Sequence, residues 1–395
     1  MTMEYSEPFD CVVVGGGAAG AAAALGLANA GHRVALIERR PRPVFSDAAP
    51  VTRVATLNVA SMALLENLGV AEVVLRRRGH PFHRMDVWDA NSSAALRFDA
   101  DEVGVPVLGW TVEHLALEAS LWEALENAGV VLLPDTNWRA LDWRLDRIDV
   151  HLADQRVLGA RLLVAADGAE SPLRTRSGIA VRRNPYHATA VVATVATRFP
   201  HQDTAWQRFD HGSILAFLPL ADGRCSIVWS LPDTSAQDVM QLDDDAFAQA
   251  LRDALGGRLG DIESVSPRAA WPLIGRQAQE YARGRLVLLG DAAHTIHPLA
   301  GQGLNLGFAD VRELLRVVPG SAAGGPASPS ALQTYTRKRR WENEIMLRSM
   351  ESLRWLFGTS LPVVASARAF GVGQVDRHMV LKRFFAVTAL GSRGS

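Results

Sequence analysis

Cysteine is scarce in this chain: Cys11 and Cys225 are the only two in 395 residues. Two cysteines make no disulfide framework, and neither stands in a spacing that ligates metal, so no metal site is expected and a reducing cytoplasm is the compartment that suits. Both are expected to be buried thiols. Net charge is also nearly absent, at −1 from 41 Lys and Arg against 42 Asp and Glu, which gives no reason to expect a nucleic-acid partner. There is no convincing membrane-spanning run. The stretch from Cys11 to Ala30 is long and almost uncharged, but Gly15, Gly16 and Gly17 interrupt it. Glu4, Glu7 and Asp10 also put acid where a secretory segment needs base. No internal repeat is evident.

What is present is the composition of an ordinary globular protein, 48% hydrophobic and 21% charged. At this length two domains and a tail are expected rather than one small core. Charge is unevenly spread, because residues 331–395 carry eleven Lys or Arg against four Asp or Glu, a local +7 against −8 elsewhere. A basic, apolar tail suits an anionic surface such as a membrane, and equally a solvated helix face.

The N-terminal segment carries the first chemistry. Phe9 to Val14 reads as a buried strand, followed by Gly15-x-Gly17-x-x-Gly20, an alanine-rich helix to Asn29, Gly31 as its stop, and a second strand from Arg33 to Ile37 closed by Glu38. The first glycine makes the tight turn, the second lets a pyrophosphate approach the backbone, and the third lets helix pack on strand. Glu38 is placed to accept from ribose hydroxyls. The glycine pattern alone is a weak signal, but strand, glycines, helix, strand and acid in sequence point to dinucleotide binding. Arg39 and Arg40 beside the acid face either the adenosine or solvent.

The chain is organised around a later stretch, Arg285 to Asp310. Arg285 to Leu289 reads as a short apolar strand, and Asp291 follows just past its carboxyl end, where open α/β sheets bind ligands. Pro298 stops the backbone, Gly301 and Gly303 permit close approach to a planar ligand, and Leu304 onward begins a helix whose N-terminus favours negative charge. A reduced flavin ring carries such charge. The competing reading is a capping aspartate and an ordinary turn.

GDAAHTIHPLAGQGLNLG, from Gly290 to Gly307, resembles the second flavin-binding signature of FAD-dependent aromatic hydroxylases, the class A flavoprotein monooxygenases, and most of all the ubiquinone-biosynthesis hydroxylases. The resemblance implies that Asp291 holds the ribityl chain and that the loop from Pro298 to Asn305 borders the isoalloxazine. It extends to other segments. RLLVAADGAESPLR, with Asp167, Gly168, Ser171 and Arg174, is similar to the family's D-G signature, where FAD pyrophosphate and nicotinamide nucleotide meet. Arg53 is similar in placement to an arginine that reaches the flavin phosphates. VLGWTVEHLALEASLWEALENAGV resembles the family's L-G-x-x-V-E-N segment, except that His114 replaces the asparagine expected near the flavin. An imidazole there offers a hydrogen bond or a titrating group, with a helix-entry histidine as the plain alternative. Pro298 and His114 are thus the catalytic candidates, and the FAD contacts fall to Gly15, Gly17, Gly20, Glu38, Arg39, Arg53, Asp167, Gly168, Asp291, Gly301, Gly303, Leu304 and Asn305.

The fold class expected is α/β: a Rossmann-like FAD-binding domain, an interleaved, mostly antiparallel substrate sheet, and a helical C-terminal region. The FAD-binding domain takes residues 1–78, 107–181 and 273–320, the substrate domain 79–106 and 182–272, and the helical region 331–395. Arg53 precedes a segment with helical spacing at Leu57, Ser61, Leu64, Leu65 and Leu68, and His83 to Phe98 alternates as two strands. Short strands rich in Val, Thr, Phe and Trp fill Arg182 to Pro272, with one helix at about Asp244 to Leu255. Substrate belongs between that sheet and the flavin, with His80, His187, His211 and Trp229 as candidate wall residues. Residues 321–330 read as a flexible linker, and Met346, Met350, Leu353 and Phe357 recur at helical spacing beyond it.

The resemblance implies a permanently bound FAD with NAD(P)H as passing co-substrate, since no second G-x-G-x-x-G unit exists. Reduction of the flavin, addition of dioxygen and attack of the resulting flavin hydroperoxide on an electron-rich ring would follow. The ring implied is a prenylated phenol or quinol precursor in ubiquinone biosynthesis. Hydroxylation of a soluble phenol or secondary metabolite, and a non-catalytic flavin-binding scaffold for other quinone-pathway proteins, remain open. Flavin halogenases are set aside, because their W-x-W-x-I-P motif is missing. A membrane surface, quinone-pathway proteins and a second copy of the chain stay open as partners. The location implied is cytoplasmic, with the inner face of the membrane as an open alternative.

Overall fold

Four valine- and leucine-rich strands with no polar face require cover on both sides, and they form the centre of the first sheet. Phe9–Val14 lies between Val34–Ile37 and Val157–Ala165, and Leu286–Leu288 and Val131–Leu133 extend the sheet outward, all parallel. In this computed structural model the described residues are 7–47, 53–92, 95–296, 302–320, 325–326 and 328–359. Leu286–Leu288 takes the second half of the Val157–Ala165 edge, while the antiparallel pair Trp138–Trp143 and Ile148–Leu152 takes the first half. Ala18–Asn29 packs against Gln302–Val317, and glycine makes the approach possible: a Cβ on Gly26 would lie 2.4 Å from Leu315 Cδ1. Cys11 and Cys225 are buried free thiols, and burial pushes the Cys225 thiol up to about 12.

The second sheet is mostly antiparallel, in the order His294–Thr295, Ala269–Ala278, Val181–Thr197, Cys225–Pro232, Ser213–Pro219, Thr204–Asp210, Arg84–Asp89, Ala95–Asp99. One pair departs from the pattern, since Thr204–Asp210 and Arg84–Asp89 run parallel. Two helices, Asp233–Gln241 and Asp244–Leu255, accompany it where the sequence suggested one. The shorter helix is polar overall, and its apolar face is only Ala236, Val239 and Met240, too brief a pattern to stand out in nine residues.

The segment after Arg53 also differs from its helical reading. Val54–Leu57 is a strand, paired with Gly109–Glu113, and His80–Phe82 completes a small third sheet. The helix begins only at Val59, where the Asn58 side chain accepts from Ser61 N–H at 2.9 Å. An asparagine cap worth roughly 1 kcal/mol, after the β-branched Val54 and Thr56, decides the boundary against the leucine spacing.

Helix Pro329–Gly358 is 30 residues long and folds back along the molecule. Tyr335 is fully buried and donates from its hydroxyl to Leu288 O at 2.8 Å. At its far end Phe357 stacks on Phe209 of the second sheet, with ring centroids 4.3 Å apart. The predicted linker lies partly outside the described residues, as does everything after Thr359.

Candidate functional site

The carboxyl ends of three central strands meet at one place. Gly15, with φ +107, turns out of Phe9–Val14 so tightly that a Cβ would sit 2.1 Å from Ala166 O, and a Cβ on Gly20 would sit 2.0 Å from Gly15 O. These two glycines are demanded by backbone contact alone. Gly16 is demanded too, which the motif reading did not foresee: Trp122 lies beneath it, donating from Nε1 to Gly16 O at 2.7 Å. Gly17 has nothing nearer to a Cβ than Glu118 Oε1 at 3.6 Å, leaving the helix N-terminus approachable.

Glu38 is buried, and its carboxylate accepts from Gly16 N–H at 2.5 Å and from Arg40 N–H at 2.9 Å. Arg40 Nε also donates to it, at 3.1 Å, while Arg39 is exposed. Glu118, on the helix His114–Asn127, was not singled out from sequence. Its carboxylate accepts from Ala18 N–H at the start of the dinucleotide helix. Burial raises its pKa, against the lowering charges of Arg40 and Arg53.

Asp167 and Gly168 follow the strand Val157–Ala165. One carboxylate oxygen of Asp167 accepts from Leu173 N–H at 3.0 Å, but Oδ1 is buried without a hydrogen-bond partner, and burial raises the carboxyl pKa. Gly168, at φ +90, has nothing within 4 Å of a Cβ. Arg174, buried, bridges this loop to the next one by donating to Ala169 O at 3.0 Å and Ala292 O at 2.9 Å.

Asp291 lies in the turn after Leu286–Leu288. Its side chain is open to solvent, yet the surrounding protein crowds it enough that desolvation raises its pKa, opposed by the charges of His294, Arg53 and Arg276. The turn is joined directly to the substrate sheet. Ala278 N–H donates to Ala293 O at 2.8 Å, and Thr295 Oγ1 donates to Ile274 O at 2.8 Å.

Behind this turn is a buried polar cluster that the motifs did not reveal. Asp310, fully buried, accepts from Gly290 N–H at 3.0 Å, pairs with the His294 ring at 2.6 Å and takes Arg339 Nε at 2.7 Å. Burial alone would raise this carboxyl, but His294 and Arg339 outweigh it and hold it at about 2. Arg339 also donates to Asn343 Oδ1 at 2.9 Å, and Asn343 donates to Tyr281 Oη at 3.2 Å. Arg339 stands in a run of four basic residues, 337–340. It lies inside because the helix places every third or fourth residue inward, and Asp310 supplies the opposite charge.

His114 begins its helix with its backbone N–H donating to Arg53 O at 3.0 Å. Burial, with the charges of Arg53 and Arg40, pushes its imidazole pKa down to about 3. It is neutral at physiological pH and does not titrate there.

Pro298 and Gly301 lie outside the described residues. Gly303 has open space where a Cβ would stand, and Leu304 packs partly on the main core. Asn305 is buried and its amide is engaged by protein: Oδ1 accepts from Asn58 N–H at 3.0 Å and Ser61 Oγ at 2.6 Å, and Nδ2 donates to Thr56 O at 2.9 Å. Its side chain therefore joins the glycine-loop helix to the Arg53 segment rather than projecting toward a ligand. Among the wall candidates, Trp229 packs toward Phe247 on the face covered by helix Asp244–Leu255, with ring centroids 6.3 Å apart. His187 and His211 are exposed at positive φ, and His80 pairs with Asp203 at 2.9 Å.

An approachable helix N-terminus, an unpartnered Asp167 oxygen, open space at Gly168 and Gly303, and a reachable Asp291 fit an elongated dinucleotide. Residues 9–349 match the FAD binding domain family. The chain is 35% identical over 390 residues to 3-demethoxyubiquinol 3-hydroxylase of Escherichia coli (strain K12), covering 98% of this chain and 99% of that protein. It is 33% identical over 386 residues to ubiquinone hydroxylase UbiL of Rhodospirillum rubrum, covering 97% and 90%. Among solved structures, P. aeruginosa PqsL in complex with 2-aminobenzoylacetate superposes with a TM-score of 0.77 at 25% identity, covering 93% of this chain and 99% of that one. The chain belongs to the FAD binding domain family and is an FAD-dependent monooxygenase.

Proposed function

We propose that this FAD-dependent monooxygenase hydroxylates the aromatic ring of a prenylated phenol or quinol precursor in ubiquinone biosynthesis, with NAD(P)H and dioxygen as co-substrates. The observation that carries the substrate class is the match to 3-demethoxyubiquinol 3-hydroxylase over almost the whole of both chains. When bound, FAD accepts electrons from NAD(P)H and delivers one atom of dioxygen to an electron-rich ring.

The residues divide the remaining work. Gly15, Gly17 and Gly20 admit the pyrophosphate to the helix N-terminus, where backbone N–H groups and the helix dipole favour it. Glu38 takes the ribose of the adenosine half, Asp167 Oδ1 accepts from a hydroxyl or a water beside the pyrophosphate, and Asp291 accepts from the ribityl chain. Arg53 supplies positive charge between His114, Glu118 and Asp291. His114 contributes a neutral imidazole, able to donate one hydrogen bond and accept another. Gly303 and Leu304 border the ring. The substrate ring lies between the second sheet and the turn at Asp291, since strand Ala269–Ala278 is bonded to that turn, and closure there excludes water from the reacting atoms.

Deleting the gene and profiling lipid quinones by mass spectrometry tests this. Accumulation of an under-hydroxylated prenyl intermediate, restored by the intact gene, is expected. Unchanged quinones would shift the reading to a soluble aromatic substrate, the class represented by the PqsL ligand. Restoration by a chain that binds FAD but cannot turn over would make the protein a scaffold.

A further inference from the structure

A broad groove opens on the side of the molecule formed by the hairpin Trp138–Leu152, the segment Glu280–Arg285 and the first half of helix Pro329–Gly358. Seven arginines and two glutamates line it, a balance of +5 on a chain whose formal net charge is −1. Four of the arginines are paired. Arg182 and Arg348 share Glu344, Arg283 holds Glu280, and Arg144 holds Asp149. The other three have no carboxylate partner among the described residues. Arg285 donates only to carbonyls, Leu145 O at 3.4 Å and Arg161 O at 3.2 Å, while Arg337 and Arg340 point outward from the helix.

The rim adds a second property. Leu145, at the hairpin tip, is 98% exposed, and Trp341 and Trp143 are 67% and 46% exposed beside it. Large apolar side chains so placed cost solubility unless something covers them. Tryptophan and leucine set among unpaired arginines match the interface between lipid headgroups and acyl chains, where amphipathic rings and basic side chains are each satisfied.

We propose that this groove docks the protein on an anionic phospholipid surface, with Arg285, Arg337 and Arg340 on the phosphates and Leu145, Trp143 and Trp341 at headgroup depth. The four basic residues 337–340 do not act as one patch. Of that run Arg339 is committed to Asp310 and Lys338 to Glu313, so Arg337 and Arg340 remain to face a ligand. No helix among the described residues is long and apolar enough to cross a membrane, and the attachment proposed is by surface contact.

The test is flotation of the intact flavoprotein with vesicles of phosphatidylcholine alone or with phosphatidylglycerol added, at low and physiological salt. Recovery with the anionic vesicles, weakened by salt, is expected. Arg337→Gln with Arg340→Gln should lower the partition coefficient about thirtyfold, since each basic residue near an anionic surface contributes about 1 kcal/mol. Leu145→Ser should weaken binding to the same vesicles. Arg198→Gln with Arg252→Gln, on the second sheet's side, should float like the wild type. Flavin content and melting temperature show that the variants are folded. Equal recovery with both lipids, no recovery with either, or a groove variant that floats like the wild type would each overturn the proposal. So would an acidic protein that co-purifies with the wild type but not the groove variant in the absence of flotation, because the groove would then belong to a protein partner.

Discussion

Replacing Arg339 by alanine tests whether the C-terminal helix holds the flavin turn in place. The guanidinium donates to Asp310 Oδ1 at 2.7 Å, to Asn343 Oδ1 at 2.9 Å and to Leu306 O at 3.3 Å, and its side chain is 4% exposed. Its removal leaves Asp310, at 0% exposure, with only the His294 ring as an ionisable partner within contact. Breaking a buried pair in this way costs roughly 3–5 kcal/mol, because the remaining charge stays desolvated. With an unfolding entropy of about 0.8 kcal/mol/K for a chain of this length, the melting temperature should fall by about 4–6 °C. Asp310 also accepts from Gly290 N–H, so the turn that carries Asp291 should loosen, and FAD per chain after gel filtration should fall with it. Adding Asp310→Asn to the alanine variant removes the stranded charge and should recover part of the loss, whereas two independent effects would add. The pair also sets an acid limit. The folded Asp310 carboxyl is held at about 2, below the ordinary value near 3.9, so its contribution is present above about pH 4 and is lost as pH falls toward 2. Flavin fluorescence followed through a thermal melt reads both quantities. An Arg339→Ala protein that melts within a degree of the wild type and keeps its flavin would refute the reasoning.

Three further predictions concern Asp291 and His114. Asp291→Ala should lower flavin retention with little change in the fold, measured as the ratio of flavin to protein absorbance, and full retention would remove Asp291 from the binding set. The His114 imidazole pKa is held down at about 3, so the rate of NAD(P)H oxidation should show no inflection from it between pH 5 and 8, in the wild type or in His114→Asn. An inflection near 6.5 that disappears in the variant would reverse this. The unfolded histidine takes up its proton near 6.5 and the folded one only near 3, so stability from this residue is complete above 6.5. It is lost below that at about 1.4 kcal/mol per pH unit, a slope that an acid titration of His114→Asn should lack.

The sequence by itself determined the dinucleotide fold and the position of its loops, because those features are local. Strand, glycine turn and helix from Phe9 to Asn29 follow from residues that are neighbours in the chain, and Gly15 and Gly20 are recognisable since no other residue fits their backbone contacts. The apolar run before Asp167 and the one before Asp291 announce buried parallel strands in the same way, so the two acids at their carboxyl ends were legible. Tertiary structure decided everything that depends on which side chains meet across long separations. Asn305 has the sequence context of a ligand-facing residue, yet its amide is taken by Thr56, Asn58 and Ser61, roughly 250 positions away. Arg339 stands in a run of four basic residues, and only the packing of helix Pro329–Gly358 against Gln302–Val317 separates it, bound to Asp310, from Arg337 and Arg340, which face outward. A charge in sequence has no partner until the fold supplies one, and a buried charge persists only where it does.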